Sequence, residues 1–203
     1  LQEIPCVGFA DDGIFGPIMF DTDWQKYTGT KMWVDPSGRG QDRTGVAICS
    51  HLNGFLWVKD VSGLEGGFSQ ATLESIALKA RTHRVSEVVI EANFGSDMFA
   101  SVLQPVLSRF FVKPGEDPEM PNGWGCSLDS YRVSGQKELR IIRALEPCLN
   151  SGRLIIDPAV IANTDLQAQI TRLTRDRNSL AHDDEVESLA MVVKMWEETI
   201  AVD

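Results

Sequence analysis

The chain has 203 residues, of which 43% are hydrophobic and 24% are charged, and its formal net charge is −10. That length and composition are ordinary for a soluble globular protein with one sizeable core. No apolar run approaches the roughly 20 residues that span a membrane, and no basic stretch followed by an apolar block opens the sequence. We therefore expect a cytosolic protein with no membrane association. The negative charge argues against a general nucleic-acid coat, because such proteins neutralise phosphates with lysine and arginine.

Acidic composition does not exclude an enzyme that acts on nucleic acid, since acids that bind divalent cations no longer repel a phosphate. The four cysteines (Cys6, Cys49, Cys126 and Cys148) lie far apart and form no Cys-x-x-Cys pair. This spacing favours reduced, mostly buried thiols over a zinc ribbon or a disulfide framework. The chain begins with Leu1 rather than Met, and we expect it to be a piece of a longer protein.

Residues 1–30 show no clean periodicity, and we interpret them as an irregular lead-in or linker before a domain over 31–203. Three β-rich runs then follow one another, at 31–35, 44–51 and 55–61. Asn53-Gly54 separates the last two, and Asn-Gly between β-rich runs is a strong hairpin signal. The pattern predicts three consecutive antiparallel strands.

Helices and strands alternate after this hairpin. Apolar spacing predicts a helix over 69–83 with Ser69 as its N-cap, a buried central strand over 87–91, and a second helix that Pro105 kinks. Residues 113–126, rich in proline and glycine, predict a long loop. The remaining predicted elements are a strand over 128–133, a helix over 135–149, an apolar run at 153–156, a helix that ends near Leu173 in a basic stretch, and a last helix that begins at His182. This order predicts an α/β fold with a mixed sheet flanked by helices.

Acidic residues stand at the ends of three of these elements. Asp35 closes the first strand and Glu91 the strand after the first helix, and the connection rules place those strands side by side. Asp183 and Asp184 open the last helix. Oxygen ligands with few histidines suit Mg²⁺ or Mn²⁺, and two such ions about 4 Å apart would orient a water for phosphodiester cleavage. We predict that Asp35, Glu91, Asp183 and Asp184 are catalytic metal ligands.

Each acid also has a structural interpretation. Asp35 suits a turn, Glu91 can pair with a lysine at a strand end, and either aspartate at 183 or 184 suits an N-cap. Between the last two, we expect Asp183 to cap the helix and Asp184 to face the acidic edge of the sheet as the ligand.

These motifs resemble the nuclease domain of tailed-phage terminase large subunits, an RNase H-like domain, over roughly 31–197. The matching segments are 33–40 (WVDPSGRG), 42–46, 90–95 (IEANFG), Lys137 with Arg140, and 182–184 (HDD) with Glu187. The resemblance implies a two-metal endonuclease, with Mg²⁺ or Mn²⁺, that cuts concatemeric double-stranded viral DNA during packaging. It implies Asp35, Glu91 and one or both of Asp183 and Asp184 as ligands, and it leaves the role of Glu187 open because relatives often carry Asp there.

The resemblance also implies partners. Terminase large subunits carry an ATPase, yet the chain contains no Gly-x4-Gly-Lys-Ser/Thr phosphate loop. We therefore expect the motor to lie outside this chain, with the small terminase subunit and the portal as further partners in the host cytoplasm. Lys137 and Arg140 are candidates for contact with DNA phosphates, although the polar side of a helix is more often only solvated.

Other functions fit parts of the pattern. The same acids serve Holliday-junction resolvases, transposases and ribonucleases H, which preference for an RNA–DNA hybrid would reveal. An actin-like or sugar-kinase fold would explain the Asp35 hairpin but needs two such domains. A non-enzymatic docking module, presenting the Trp124 loop to a capsid or partner subunit, would bind no metal.

Overall fold

The computed structural model describes residues 8–9, 12–13, 25–37, 43–92, 96–177, 179–180 and 182–200. Cys6, most of the expected lead-in, and the glycines of the 38–40 and 93–95 turns lie outside these ranges. Within the described ranges, none of the helices combines the length and apolarity that a bilayer crossing requires. Cys49 and Cys148 are buried free thiols, as expected, while Cys126 is half-buried.

Six strands form the main sheet, and their order is β7-β6-β3-β4-β5-β8. Their bounds are β3 Gly29–Asp35, β4 Thr44–Leu52, β5 Phe55–Leu64, β6 Glu87–Glu91, β7 Ser127–Tyr131 and β8 Leu154–Ile156; two short strands, β1 Gly8–Phe9 and β2 Asp12–Gly13, pair separately. Strand β4 pairs antiparallel with both β3 and β5. The other three pairs are parallel: β6 with β3, β7 with β6, and β8 with β5. The predicted mixed α/β sheet is confirmed.

The helices cover both faces of this sheet. Their bounds are α1 Gln70–Thr82, α2 Ser96–Phe110, α3 Lys137–Asn150, α4 Pro158–Ile161, α5 Thr164–Arg172, α6 Asp184–Lys194 and α7 Glu197–Ile200. Met32 and Val34 pack with α1 and α2 on one face, and Trp33 packs with α3 and α6 on the other. Side chains alternate between the two faces of a sheet along a strand, so Asp35, two residues after Trp33, is on the same face as Trp33. It therefore lies on the face that α6 covers.

Local chemistry explains the boundaries that the sequence predicted correctly. Asn53 and Gly54 both have positive φ, 51° and 76°, as a two-residue turn between twisted strands requires. The Ser69 side chain accepts a hydrogen bond from the Thr72 amide at the start of α1. Helix α4 was not predicted; it is four residues long and is capped by Asp157, whose carboxylate accepts from the Ala159 amide.

The N-terminal cap of α6 differs from the one that the sequence predicted. Asp183 occupies the N-cap position, but its side chain makes no capping hydrogen bond, so the predicted capping role of Asp183 is wrong. Instead, the Val186 amide donates to Gln169 Oε1 of α5 at 2.9 Å, and the Gln169 side chain is buried. Asn163, at the start of α5, donates to Glu185 Oε2 at 3.1 Å. A neighbouring helix therefore caps α6, and Asp183 points elsewhere.

We expect Gln169→Ala to lower the free energy of unfolding in metal-free buffer by about 1–3 kcal/mol, because the buried Val186 amide loses its acceptor. Asp183→Ala should cost less, since no cap is lost. Gln104→Ala, on the exposed side of α2, is the matched control and should stay within about 0.5 kcal/mol of the parent. Urea denaturation measures all three, and a larger loss for Asp183→Ala than for Gln169→Ala would contradict the assignment.

Candidate active site

Two predicted acids end neighbouring parallel strands. The register pairs Val34 of β3 with Ile90 of β6, so Asp35 and Glu91 each follow that pair by one residue. Trp33 and Val89, two residues earlier on each strand, both pack into the core on the α6 side, and alternation turns Asp35 and Glu91 to that same side. Glu91 is 5% exposed. The strand order predicted from the sequence therefore places these two carboxylates together.

A glycine allows the start of α6 to lie directly against this strand end. Gly45 of β4 is the register partner of Asp35. A Cβ added at Gly45 would lie 2.6 Å from the Asp184 carbonyl oxygen and would also collide with Ser188 Oγ. Only a residue without a side chain leaves room for the first turn of α6, which carries Asp184, at this point of the sheet.

The electrostatics show how closely the acids are grouped. Burial, as the largest cause, and then the negative charges of Glu91, Glu187 and Asp184 together raise the pKa of Asp35 from 3.8 to about 8, while Lys137 acts in the opposite direction. Acids from β6 and α6 therefore act on the Asp35 carboxyl group at the end of β3. The result is a concentration of negative charge at one end of the sheet.

Two cations from α3 face these acids. Lys137 Nζ lies 3.1 Å from Asp183 Oδ1 and 2.6 Å from Glu187 Oε2. Arg140 Nη2 forms an ion pair with Glu187 Oε1, and the Glu187 side chain is 1% exposed. Burial disfavours the charged form of Lys137, yet its pKa is raised because the charges of Glu187 and Asp183 and its hydrogen bonds to them outweigh that effect.

The structure thus brings Asp35, Glu91 and Asp184 into one electrostatic neighbourhood and engages Asp183 with Lys137. Glu187, whose role the sequence left open, is the most deeply buried acid of α6 and joins both cations. Helical spacing was the available signal, because Glu187 follows Asp183 by one turn. Lys137 and Arg140 are directed toward these acids; their contact with DNA phosphates stays a prediction.

The described residues contain no cluster of three or more histidine, cysteine, aspartate or glutamate side chains arranged to hold a metal ion. The acids share one field without being gathered around a common point. As a donor set, however, carboxylate oxygens match hard divalent cations such as Mg²⁺ and Mn²⁺. After burial, the negative charges of Glu91, Glu187 and Asp184 raise the pKa of Asp35, and the positive charge of Lys137 lowers it.

Comparison with known proteins gives a consistent relationship. The family model for the ribonuclease H-like domain of the bacteriophage T7 terminase matches residues 34–154. The large terminase subunit of Enterobacteria phage T3 is 33% identical over an alignment of 217 positions, gaps included. The alignment covers all of this chain and 35% of that protein. The chain therefore spans about a third of the length of the curated relative that it matches.

Solved structures with similar folds include the human cytomegalovirus terminase nuclease domain, Mn-soaked and inhibitor-bound, at a TM-score of 0.56 and 16% identity, with 87% of this chain and 86% of that one covered. A mutant nuclease domain of the large terminase subunit of bacterial virus Sf6, with manganese and beta-thujaplicinol, has a TM-score of 0.57 and 12% identity, with 84% and 90% covered. These likenesses show the RNase H-like fold. Since the family model spans more than half of the residues, this chain belongs to the family of T7-type terminase ribonuclease H-like domains.

Proposed function

We propose that this domain is a divalent-metal-dependent endonuclease that cuts concatemeric double-stranded viral DNA during genome packaging. The observation that carries the proposal is the grouping of Asp35, Glu91, Asp184 and Glu187 at one sheet end, where burial and then the charges of the other three acids raise the pKa of Asp35. Membership of a terminase ribonuclease H-like family supplies the biological setting. Packaging activity would belong to a full-length protein like the phage T3 relative, which this chain matches over about a third of that relative's length.

Asp35, Glu91 and Asp184 would hold Mg²⁺ or Mn²⁺, with Asp183 as a further ligand. Two bound ions would supply an activated water and charge stabilisation for in-line phosphodiester hydrolysis. The strand ends fix Asp35 and Glu91, and the first turn of α6 fixes Asp184. Their oxygens fit hard cations, and binding would relieve the repulsion between carboxylates that, together with the larger effect of burial, raises the pKa of Asp35.

Glu187 and the two α3 cations have a positioning role in this proposal. Lys137 and Arg140 neutralise Glu187, and Lys137 also holds Asp183. These ion pairs join α3 to the first turns of α6, so they fix where the acidic end of α6 lies. In the longer protein we further propose an ATPase domain, the small terminase subunit and the portal as partners, in the host cytoplasm.

The purified domain should nick supercoiled plasmid only with Mg²⁺ or Mn²⁺, and Asp35→Asn, Glu91→Gln or Asp184→Asn should abolish nicking because each removes a proposed ligand. Asp183→Ala should lower the rate less. Glu146→Gln, an exposed acid on α3, is the matched control and should cut at the parental rate. Gel electrophoresis of plasmid incubated with each ion or with EDTA gives the readout.

Nicking that persists in EDTA would rule out the metal-dependent mechanism. Parental cutting by any one of the three ligand variants would remove that residue from the site. An inactive Asp183→Ala beside an active Asp184→Asn would show that the two aspartates have exchanged roles. Cleavage of an RNA–DNA hybrid in preference to duplex DNA would favour another RNase H-like activity over this one.

Stability without metal should depend on Asp35 in a defined pH window. The carboxyl has a folded-state pKa of about 8 against an ordinary 3.8, so the folded form holds the proton more tightly. The stabilisation of the folded state that comes from this tighter proton binding is fully present below the ordinary pKa and is lost as the pH rises through the folded-state pKa. The parent's melting temperature in EDTA should therefore fall between about pH 4 and pH 8 relative to that of Asp35→Asn.

Differential scanning fluorimetry across that window measures the effect. The two proteins should converge near pH 4, and Asp35→Asn should melt at or above the parent at pH 8. An Asp35→Asn variant less stable than the parent at pH 8 would show that Asp35 is a structural acid with a favourable partner.

A further inference from the structure

We propose that a groove beside α3 binds the DNA backbone through Arg143 and Lys194, outside the acidic centre. This rests on the proposed function. The groove has a volume of about 260 Å³ and lies between the start of α3 and the end of α6. Three cations, Arg140, Arg143 and Lys194, and one acid, Glu197, are among its lining residues. Its surroundings are therefore positive in a chain of net charge −10.

Two of these cations are available to a ligand. Within the part of the chain that the structure describes, Arg143 and Lys194 form no ion pair, whereas Arg140 is joined to Glu187. Arg143 is exposed and Lys194 is half-buried. Many other basic side chains of this protein are joined to acids, as Lys79 is to Asp60. The groove thus presents two cations that form no ion pair with any of the described residues.

The groove adjoins the acidic centre through Arg140. One side of its guanidinium meets Glu187, and its Nη1 lies 3.5 Å from the Gly135 carbonyl at the rim of the groove. Gln136 Nε2, also in the lining, donates to the backbone carbonyl of Arg175 at 3.0 Å, so the backbone of this exposed residue lies beside the groove. Basic groups therefore continue from the edge of the acidic centre into the groove.

Helix geometry gives the scale of this path. Arg143 follows Arg140 by about one turn of α3, roughly 5 Å, and Lys194 follows Glu187 by about 10 Å along α6 at 1.5 Å per residue. Phosphates of one strand are spaced by about 3.4 Å along the axis of duplex DNA. The two cations thus lie within about three nucleotides of the acidic centre.

The proposed ligand follows from charge. A centre rich in carboxylates repels DNA until cations are bound, so attraction for the backbone has to come from groups beside it. Arginine matches phosphate with its planar, bidentate donor fork, and lysine adds a point charge. A DNA strand whose scissile phosphate lies at the acids would place a neighbouring phosphate at Arg143 and Lys194.

The test is fluorescence anisotropy with a labelled 20-base-pair duplex in EDTA, where no cutting occurs, over a series of salt concentrations. Arg143→Gln and Lys194→Gln should each weaken binding and lower the slope of log affinity against log salt by about one, as loss of one phosphate contact predicts. Lys113→Gln is the matched control. Lys113 is exposed and lies away from the acidic centre. Its neighbour Val112 pairs with Trp124, and the Trp124 indole donates to the Val85 carbonyl. Val85 stands just before β6, at the opposite end of that strand from Glu91.

Unchanged slopes in both groove variants, losses no greater than that of Lys113→Gln, or no duplex binding by the parent would overturn the inference. Mn²⁺-dependent nicking separates this failure from that of the proposed function. The groove variants should raise KM more than they lower kcat. Parental nicking with unchanged slopes would remove the groove alone, whereas lowered slopes without any nicking would leave the groove as a DNA site and remove the nuclease proposal.

Discussion

The burial of Glu187 beside Asp35 is the constraint on which this fold's acidic end depends. A carboxylate that is 1% exposed loses nearly all of its hydration, and an unpaired buried charge costs several kcal/mol. Lys137 and Arg140 offset that cost, and both come from α3. Helix α3 must therefore pack along α6. Lys137 also holds Asp183, so the same pairing fixes the acids at the start of α6 relative to α3.

Much of the fold could be predicted because its signals are local. Asn53-Gly54 specifies its turn through backbone conformation alone, and Ser69 caps α1 through a hydrogen bond three residues along the chain. The meeting of Asp35 and Glu91 needed one further step, the adjacency of two parallel strands. That step follows from general connection rules rather than from a particular side chain.

The features that sequence reasoning missed depend on contacts between distant segments. Nothing near Asp183 indicates that Gln169 of another helix caps α6. The apolar spacing of α6 predicts one buried face, yet every residue from 185 to 193 is buried because β4, α3 and α5 enclose the helix. Such enclosure is why Glu187 is an internal acid, and only the packed structure reveals it. The four residues of α4 are too few to show a period.

The missing side chain at Gly45 separates two properties that are usually changed together in acidic centres. Replacing a carboxylate alters charge and shape at once, whereas a methyl group at Gly45 would meet the Asp184 carbonyl and Ser188 without removing any ionisable group. The spacing between β4 and the first turn of α6 would widen, and Asp184 would move with the backbone. A substitution at Gly45, which bears no functional group, would therefore show how the acidic centre depends on the distance between β4 and α6. The charge of the centre would stay the same.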